Sequence, residues 1–392
     1  MARPVSRWHR AIEVNQSHHR EVVIVGGGLA GGAAAALLAQ AGKRALLFER
    51  EAGPSHKICG EFVSEEAQQY LARVGLDLAP LGGHAISRLR LVRGGQMAET
   101  PLPFRGLGLS RCVLDHALLE HAARCGADIR RGCEARILKS ESGARVHVDG
   151  EEWGPEALLL ATGKHDVRDL RRHLVKPPED LIGFKTYFKL NQAQTKALRG
   201  SVEVIVFSHG YAGLQLVEEE RANLCLLTDR AQFQQSGSTW EGLLHDLAHT
   251  SEHLRQRLYG ATPLLDRPLA IYRVPYGFVH APLPGDAQNM YRLGDQVAVI
   301  PSFSGDGMAI ALHSAALAAQ SYLCGSGSRE YHRRIRTDVA AQVARASALY
   351  RFGRSAPGQR MLIPIARAWP KGLRLAAAFT RVPPAAVMRV MG

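Results

Sequence analysis

Three glycines and one acid are the residues whose types and spacing most directly imply chemistry. Gly26, Gly28 and Gly31 form a G-x-G-x-x-G spacing, and Glu49 lies 23 residues after the first of them. Gly26 allows a tight turn, Gly28 lets the backbone come close to a pyrophosphate, and Gly31 lets a helix pack closely on a sheet. A pyrophosphate held there would meet unpaired N–H groups at a helix N-terminus, where the dipole favours an anion. Glu49 stands near the distance at which an acidic side chain meets the ribose hydroxyls of an adenine dinucleotide.

Such a motif carries weight only if the right elements position it. Residues 21–25, EVVIV, are mostly β-branched and read as a buried parallel strand. An Ala-rich helical run follows the glycines, and residues 44–48 begin a second strand. Strand, glycine turn, helix and strand arrive in the order that a dinucleotide fold requires.

At 392 residues and 46% hydrophobic, the chain can bury a large core and form two or three domains. There is no apolar run of 18 residues, and the first twenty residues lack the apolar core of a signal peptide, so a cytoplasmic location is expected. The six cysteines are scattered without metal or disulfide spacing, which suits free thiols. Of the net charge of +13, +11 falls in residues 329–392, where thirteen Lys and Arg face only Glu330 and Asp338. Electrostatic steering is therefore expected from the C-terminal region.

Taken in order, the first βαβ unit leads into a loop holding Lys57, Cys59, Gly60 and Glu61, then a helix capped by Ser64. Residues 86–100 alternate as short strands, and Ser110 caps a helix running to Gly126. Further short strands end in a buried run, residues 157–161, a later strand of the nucleotide sheet. Residues 181–280 are β-rich, with one helix predicted over 240–258, and read as a second domain on an antiparallel sheet. The chain then returns through YRLGDQVAVIPSFSGDGMAIAL: Asp295 follows a strand, and Gly305 and Gly307 open a long helix. Two helical stretches, near residues 329–352 and 360–391, close it. The expected organisation is an interleaved one: nucleotide domain at 20–80, 105–176 and 281–328, substrate domain at 81–104 and 181–280, and a basic helical region at 329–392.

With these pieces in place, the chain resembles the FAD-dependent oxidoreductases that share the p-hydroxybenzoate hydroxylase and geranylgeranyl reductase fold. The resemblance covers about residues 20–325. It rests on the glycine motif with Glu49, the helix RCVLDHALLEHA led by Arg111, and the segment GDQVAVIPSFSGDGMAIAL. It implies an α/β fold, a Rossmann-like FAD-binding domain interleaved with an antiparallel-sheet substrate domain, plus the helical C-terminal region. It implies that Gly26, Gly28, Gly31, Glu49 and Arg50 hold the ADP half of FAD. Arg111 would lie near its phosphates or ribityl chain, Asp295 would bind a ribityl hydroxyl or the pyrophosphate, and Gly305, Gly307 and Met308 would offer N–H groups to the pyrimidine edge. Negative charge develops at that edge on reduction, and a helix N-terminus stabilises it. The segment KICGEF, residues 57–62, resembles the KxCG loop of the reductase branch, which makes Cys59 a candidate catalytic residue beside the flavin.

Two departures from the family stand out. Where hydroxylases carry an Asp-Gly segment linked to FAD and NAD(P)H, this chain has ATGKHDVR at 161–168, which bears on NAD(P)H as direct reductant. In the reductase branch a second glycine follows the first after the cysteine, whereas here Gly60 is followed by Glu61. A flavin halogenase is not expected, because the Trp-x-Trp-x-Ile-Pro pattern of that branch is absent. Neither is a hydrolase, because no G-x-S-x-G elbow occurs. His245, His249 and His253 recur at helical spacing but span about 12 Å along a straight helix, too far for one metal ion.

The expected function is FAD-dependent oxidation-reduction of a hydrophobic aromatic, polyketide-like or isoprenoid-like small molecule, with NAD(P)H as a candidate reductant. Monooxygenation is favoured. Hydride delivery to a carbon–carbon double bond is the alternative, and a non-catalytic flavin electron carrier is the alternative from another class. For the basic C-terminal region, packing on the FAD domain and peripheral membrane contact both stand as readings. Nucleic acid is not expected as a partner, since no aromatic-rich basic platform occurs.

Overall fold

The structure is a computed structural model in which residues 18–140, 143–167, 170–174 and 177–391 are described. The expected basic lead-in, for residues 1–17, and Arg168 lie outside the described residues. Among those described, no helix is long and apolar enough to cross a membrane.

Two sheets organise the chain. In the first, the strands Asp128–Arg131, Ala45–Glu49, His18–Val25 and Glu151–Leu160 lie side by side, all parallel. Met290–Arg292 pairs in parallel with the far end of the last of these, Leu158–Leu160. A hairpin of Arg136–Ser140 and Gly143–Val148 runs antiparallel against its near end. Both faces of the central strand are covered. Val22 and Ile24 pack among Ala33, Ala36, Leu118 and Ala309, while Val23 and Val25 pack among Trp153, Met290 and Val146. Burial on both sides is why this strand reads as a continuous apolar run instead of an alternation.

The helices on the first face are Leu29–Gln40, Glu65–Val74, Arg111–Arg124 and Gly307–Leu323. Ser64 and Ser110 cap the second and third, accepting from Ala67 N–H and Val113 N–H. The fourth begins at Gly307, one residue beyond the expected start at Asp306.

The second sheet has nine strands and is mostly antiparallel, built from His84–Arg93, Gln96–Gly108, Leu181–Lys189, Ser201–Phe207, Gly210–Leu216, Ala222–Asp229 and three short strands. One pairing departs from expectation: Ser201–Phe207 runs parallel to His84–Arg93, which joins the segment inserted after the first βαβ unit to the later one. The two segments share one core through Val92, Ile205, Leu214 and Leu226.

Other local expectations need correction. The helix predicted over 240–258 is two helices, Trp240–Thr250 and Glu252–Leu258, because Ser251 takes an extended conformation and its hydroxyl caps the second. His245 and His249 meet edge to face on the first, ring centroids 4.4 Å apart, while His253, on the second, meets the Glu203 carboxylate at 2.7 Å. The distance argument from one straight helix therefore does not apply, and no metal-binding cluster occurs among the described residues. The C-terminal region forms four helices: Gly327–Arg354, Ala356–Ala368, Pro370–Phe379 and Pro384–Met391. The first and last pack on the core of the first sheet through Tyr331, Ile335, Val387 and Val390, whereas the middle two lie on the second sheet, one through Ile363 and Ala366 and the other through Leu373. The reading that placed the whole region against the FAD domain holds for two of these four helices.

Candidate functional site: a cofactor cradle continuous with an apolar chamber

A cavity of about 1360 Å³ runs from the glycine turn, across the KICGEF loop, to the inner face of the second sheet. Gly26, Gly28, Glu49, Arg50, Cys59, Arg111, Asp295, Gly305, Gly307 and Met308 all line it, so it gathers ten of the eleven predicted site residues. Gly31 is absent from its wall for a physical reason. A Cβ there would sit 1.8 Å from the Gly26 carbonyl oxygen, so its role is close packing of helix on strand.

The glycine turn fits a pyrophosphate. Gly26 holds φ +106°, and a Cβ on it would meet the Ala161 carbonyl oxygen at 2.4 Å. A Cβ on Gly28 would crowd Arg111 Nη2 at 3.1 Å, with Asp115 Oδ2 next at 3.9 Å and no backbone within 4 Å. The backbone is thus bare where a phosphate would approach, and a guanidinium stands beside it. Arg111 is oriented by two bonds to Asp115, at 2.6 and 2.8 Å. Burial opposes its charge, but the Asp115 carboxylate more than offsets that and raises its pKa.

Glu49 is buried at the end of its strand, where its carboxylate accepts from Gly27 N–H at 2.5 Å and from Glu51 N–H at 3.1 Å. Arg50 is exposed and bonds Glu51 at 3.1 Å. At the other end of the cradle, Gly305 takes φ +69° and the helix Gly307–Leu323 points its N-terminus at the cavity. A Cβ on Gly307 would meet only Ile300, at 3.9 Å. This helix mouth is clamped from behind. The buried Asp306 carboxylate accepts from Ser64 at 3.2 Å, Arg381 at 3.0 Å, Val382 N–H at 2.9 Å, and Gln342. Burial pushes Asp306 up to about 6 against the pull of Arg381.

The KICGEF loop is held from several sides by one residue. Glu61 takes φ +59°, where the reductase pattern would place a second glycine, and its side chain is completely buried. Its carboxylate accepts from the Lys185 ammonium, from Tyr187 hydroxyl at 2.8 and 2.9 Å, and from Arg111 N–H at 2.8 Å. Gln215 bonds its carbonyl at 2.7 Å and Asn223 bonds that of Gly60 at 2.9 Å. The loop is thereby bolted to the second sheet. Cys59 is half-buried on the cavity wall, its Sγ accepting from Glu61 N–H at 3.4 Å. Cys225, also on the wall, is pushed up to about 11 by burial, so it remains a thiol at neutral pH.

The segment in place of the family's Asp-Gly is fastened to the GD turn. Gln296 Nε2 donates to the carbonyls of Gly163 and His165, and Arg172 bridges Asp166 at 2.7 Å and the Asp295 carbonyl at 3.1 Å. Lys164 faces the cavity and donates to the Ile58 carbonyl at 2.9 Å. Burial works against its charge, but Asp295, Tyr276, Cys59 and Cys225 together outweigh that and its pKa is raised.

Beyond the loop the chamber turns apolar, lined by Leu89, Leu91, Val204, Leu226 and Ile271. One polar feature is set into it. The Ser302 hydroxyl bonds the Tyr211 hydroxyl at 2.5 Å and that of Tyr276 at 2.8 Å, just before the Gly305–Gly307 turn. Burial raises the pKa of both tyrosines, so they stay protonated. The C-terminal helices close the chamber with Tyr350, Leu362, Ala366 and Leu373.

Sequence reasoning missed Lys185, Tyr187, Tyr211, Tyr276, Ser302 and the C-terminal wall. Only Lys185 left a signal, as a lone cation within the apolar strand LIGFKTYFK.

The comparisons agree with this geometry. Residues 19–161 match the family described as FAD binding domain. Among curated proteins no relative matches. Of the solved structures, the halogenase PltM in complex with phloroglucinol and FAD superposes with a TM-score of 0.73 at 16% identity, covering 92% of this chain and 85% of that one. A geranylgeranyl bacteriochlorophyll reductase-like protein from Thermoplasma acidophilum gives 0.73 at 16% identity, over 96% of each chain. A mutant of PqsL from P. aeruginosa gives 0.72 at 18% identity, covering 87% and 98%. At such identities these likenesses speak to the fold. The fold and the matched domain together define a flavoprotein that takes FAD. Residues 19–161 are a FAD binding domain, and the chain shares its fold with the PltM, geranylgeranyl reductase-like and PqsL structures.

Proposed function

We propose that the protein hydroxylates an apolar aromatic small molecule bearing a phenolic or similar hydroxyl group. The observation that carries this reading is the Tyr211–Ser302–Tyr276 hydroxyl cluster, set in an otherwise apolar chamber beside the helix mouth at Gly307. A pure hydrocarbon substrate needs no buried polar partner, whereas a ring hydroxyl taken out of water must be hydrogen-bonded.

In this reading Gly26, Gly28, Glu49, Arg50 and Arg111 hold the ADP half of FAD, and Asp295, Gly305, Gly307 and Met308 hold its flavin end. When bound, FAD supplies the reducing equivalents and the activation of oxygen. The N–H groups of Gly307 and Met308 favour negative charge at the flavin edge. Tyr211 and Tyr276, kept protonated, orient the substrate hydroxyl instead of acting as bases. The apolar walls and the C-terminal helices exclude water, which would otherwise divert reduced oxygen to a wasted product. The balanced reaction consumes one oxygen molecule and two electrons from a donor such as NAD(P)H, placing one oxygen atom in the product and the other in water.

A second reading, hydride delivery to a carbon–carbon double bond, draws on Cys59 in its KxCG-like loop. The halogenase branch lacks support from the sequence, since the Trp-x-Trp-x-Ile-Pro pattern is missing. Phloroglucinol, the phenol in the PltM structure, is a reasonable first probe.

The test is to incubate the flavin-loaded protein with NADH or NADPH, labelled oxygen and phenolic probes. Label in the organic product, together with a KM raised more than kcat is lowered in Tyr276→Phe, supports hydroxylation. Substrate reduction under anaerobic conditions, with no label taken up in air, overturns it in favour of the second reading.

A further inference from the structure

The exposed apolar surface of this protein is concentrated in one place. Of fifteen large apolar side chains exposed among the described residues, eight fall within residues 349–388. The same forty residues hold seven Lys and Arg and no acid. Such a coincidence is not needed for solubility or packing.

The pattern along the helices is regular. On Ala356–Ala368, Met361 and Ile365, followed by Trp369, face outward, while Gln359, Ile363 and Ala366 face inward. On Pro370–Phe379, Lys371, Leu375 and Phe379 face outward, and Leu373, Ala376 and Ala377 line the cavity. Arg345 of the preceding helix lies 6.0 Å from the Phe379 ring, which brings Leu349 and Phe352 on that helix toward the same surface. Arg351, Arg360, Lys371 and Arg374 make no ion pair among the described residues. These are helices with an apolar row flanked by unneutralised cations, the composition that seats a helix in the plane of a membrane interface.

A second observation ties this surface to the chamber. Leu349, Phe352, Ile365 and Trp369 belong both to the exposed apolar set and to the cavity wall. The edge of the chamber and the centre of the patch are therefore the same residues.

We propose that helices Ala356–Ala368 and Pro370–Phe379 are a docking surface for an anionic lipid bilayer, through which an amphiphilic substrate passes from the membrane into the chamber. The apolar row enters the acyl boundary, while Arg351, Arg360, Lys371 and Arg374 meet lipid phosphates. An acidic protein partner is the lesser fit, since eight exposed apolar side chains exceed what a charge-steered protein contact would leave bare. The proposal rests on the chamber being the substrate site, but docking itself can be read without turnover.

The experiment is sedimentation of the flavin-loaded full chain with two kinds of vesicle, phosphatidylcholine alone and phosphatidylcholine with phosphatidylglycerol in roughly equal amounts. We expect partitioning onto the anionic vesicles only. The variant R360Q/K371Q/R374Q should lose roughly a hundredfold, about fivefold for each cation removed, with its flavin spectrum unchanged. M361S/L375S/F379S should weaken the part of the binding that survives high salt. Equal partitioning of wild type and the cation variant, or no partitioning onto anionic vesicles, overturns the proposal, as does binding to an acidic soluble protein without binding to vesicles. Docking without any oxygenase activity leaves this proposal standing and removes only the hydroxylase reading.

Discussion

Lys185 and Glu61, 124 residues apart, form an ion pair in which neither side chain has any exposure to solvent. The pair joins the loop that carries Cys59 to the strand Leu181–Lys189 of the second sheet. Two charges taken out of water are tolerable only when each is fully partnered, and here Glu61 has Tyr187 and Arg111 N–H as well, while Lys185 also donates to the Lys57 carbonyl at 2.9 Å. The arrangement fixes where the loop sits relative to the chamber.

Removing one partner strands the other charge. Glu61→Ala and Lys185→Met should each lower unfolding free energy by about 3–5 kcal/mol, read by denaturant titration of the flavin-loaded protein. The double variant should lose less than the sum of the two. Additive losses would mean that the pair is not the coupling element.

Two glycines of the same motif should fail in different ways. Gly28→Val projects into the space where a phosphate would lie, so the protein should fold but come off purification without yellow colour. Gly31→Val drives a side chain into the Gly26 carbonyl and should prevent folding. Circular dichroism and the visible spectrum separate the two. Full flavin content in Gly28→Val would remove the pyrophosphate from this turn.

What could be read in advance was local. The glycine spacing, the doubly buried strand and the Ser64 and Ser110 caps depend on neighbours a few residues away, and the sequence displays them directly. Glu61 could be read only as a departure from a family pattern. Its meaning lies in Lys185 and Tyr187, whose proximity is set by sheet topology. The same holds for Tyr211 and Tyr276, which reach Ser302 from 91 and 26 residues upstream. The charge of the C-terminal region was plain, but its place on the second sheet depends on Ile363 and Ala366 meeting Leu91 and Val206. The break at Ser251 was hidden because helical periodicity continues across it.

Cys59 offers a clean test of its own loop. Its Sγ accepts a hydrogen bond from Glu61 N–H and faces the cavity. Cys59→Ala should keep FAD and stability within about 1 kcal/mol, because Glu61 holds the loop by other bonds. It should change turnover and shift the flavin absorption. Unchanged kinetics and spectrum would leave Cys59 as a wall residue.

Acid stability should depend on Glu203, which is fully buried and does not line the cavity. Burial opposes its charge, but hydrogen bonds from His253 and Arg257, with Arg90 at 3.1 Å, overcome this and lower it to about 2 from an ordinary 4.5. A carboxylate held below its unfolded value contributes stability that is complete above pH 4.5 and lost as pH falls toward 2. The loss amounts to about 3 kcal/mol across that window. Glu203→Gln should therefore be less stable than wild type at neutral pH, and the difference should shrink steadily between about pH 4.5 and 2. Melting temperatures measured across this range decide it: parallel curves for the two proteins would show that Glu203 gains nothing from its three partners.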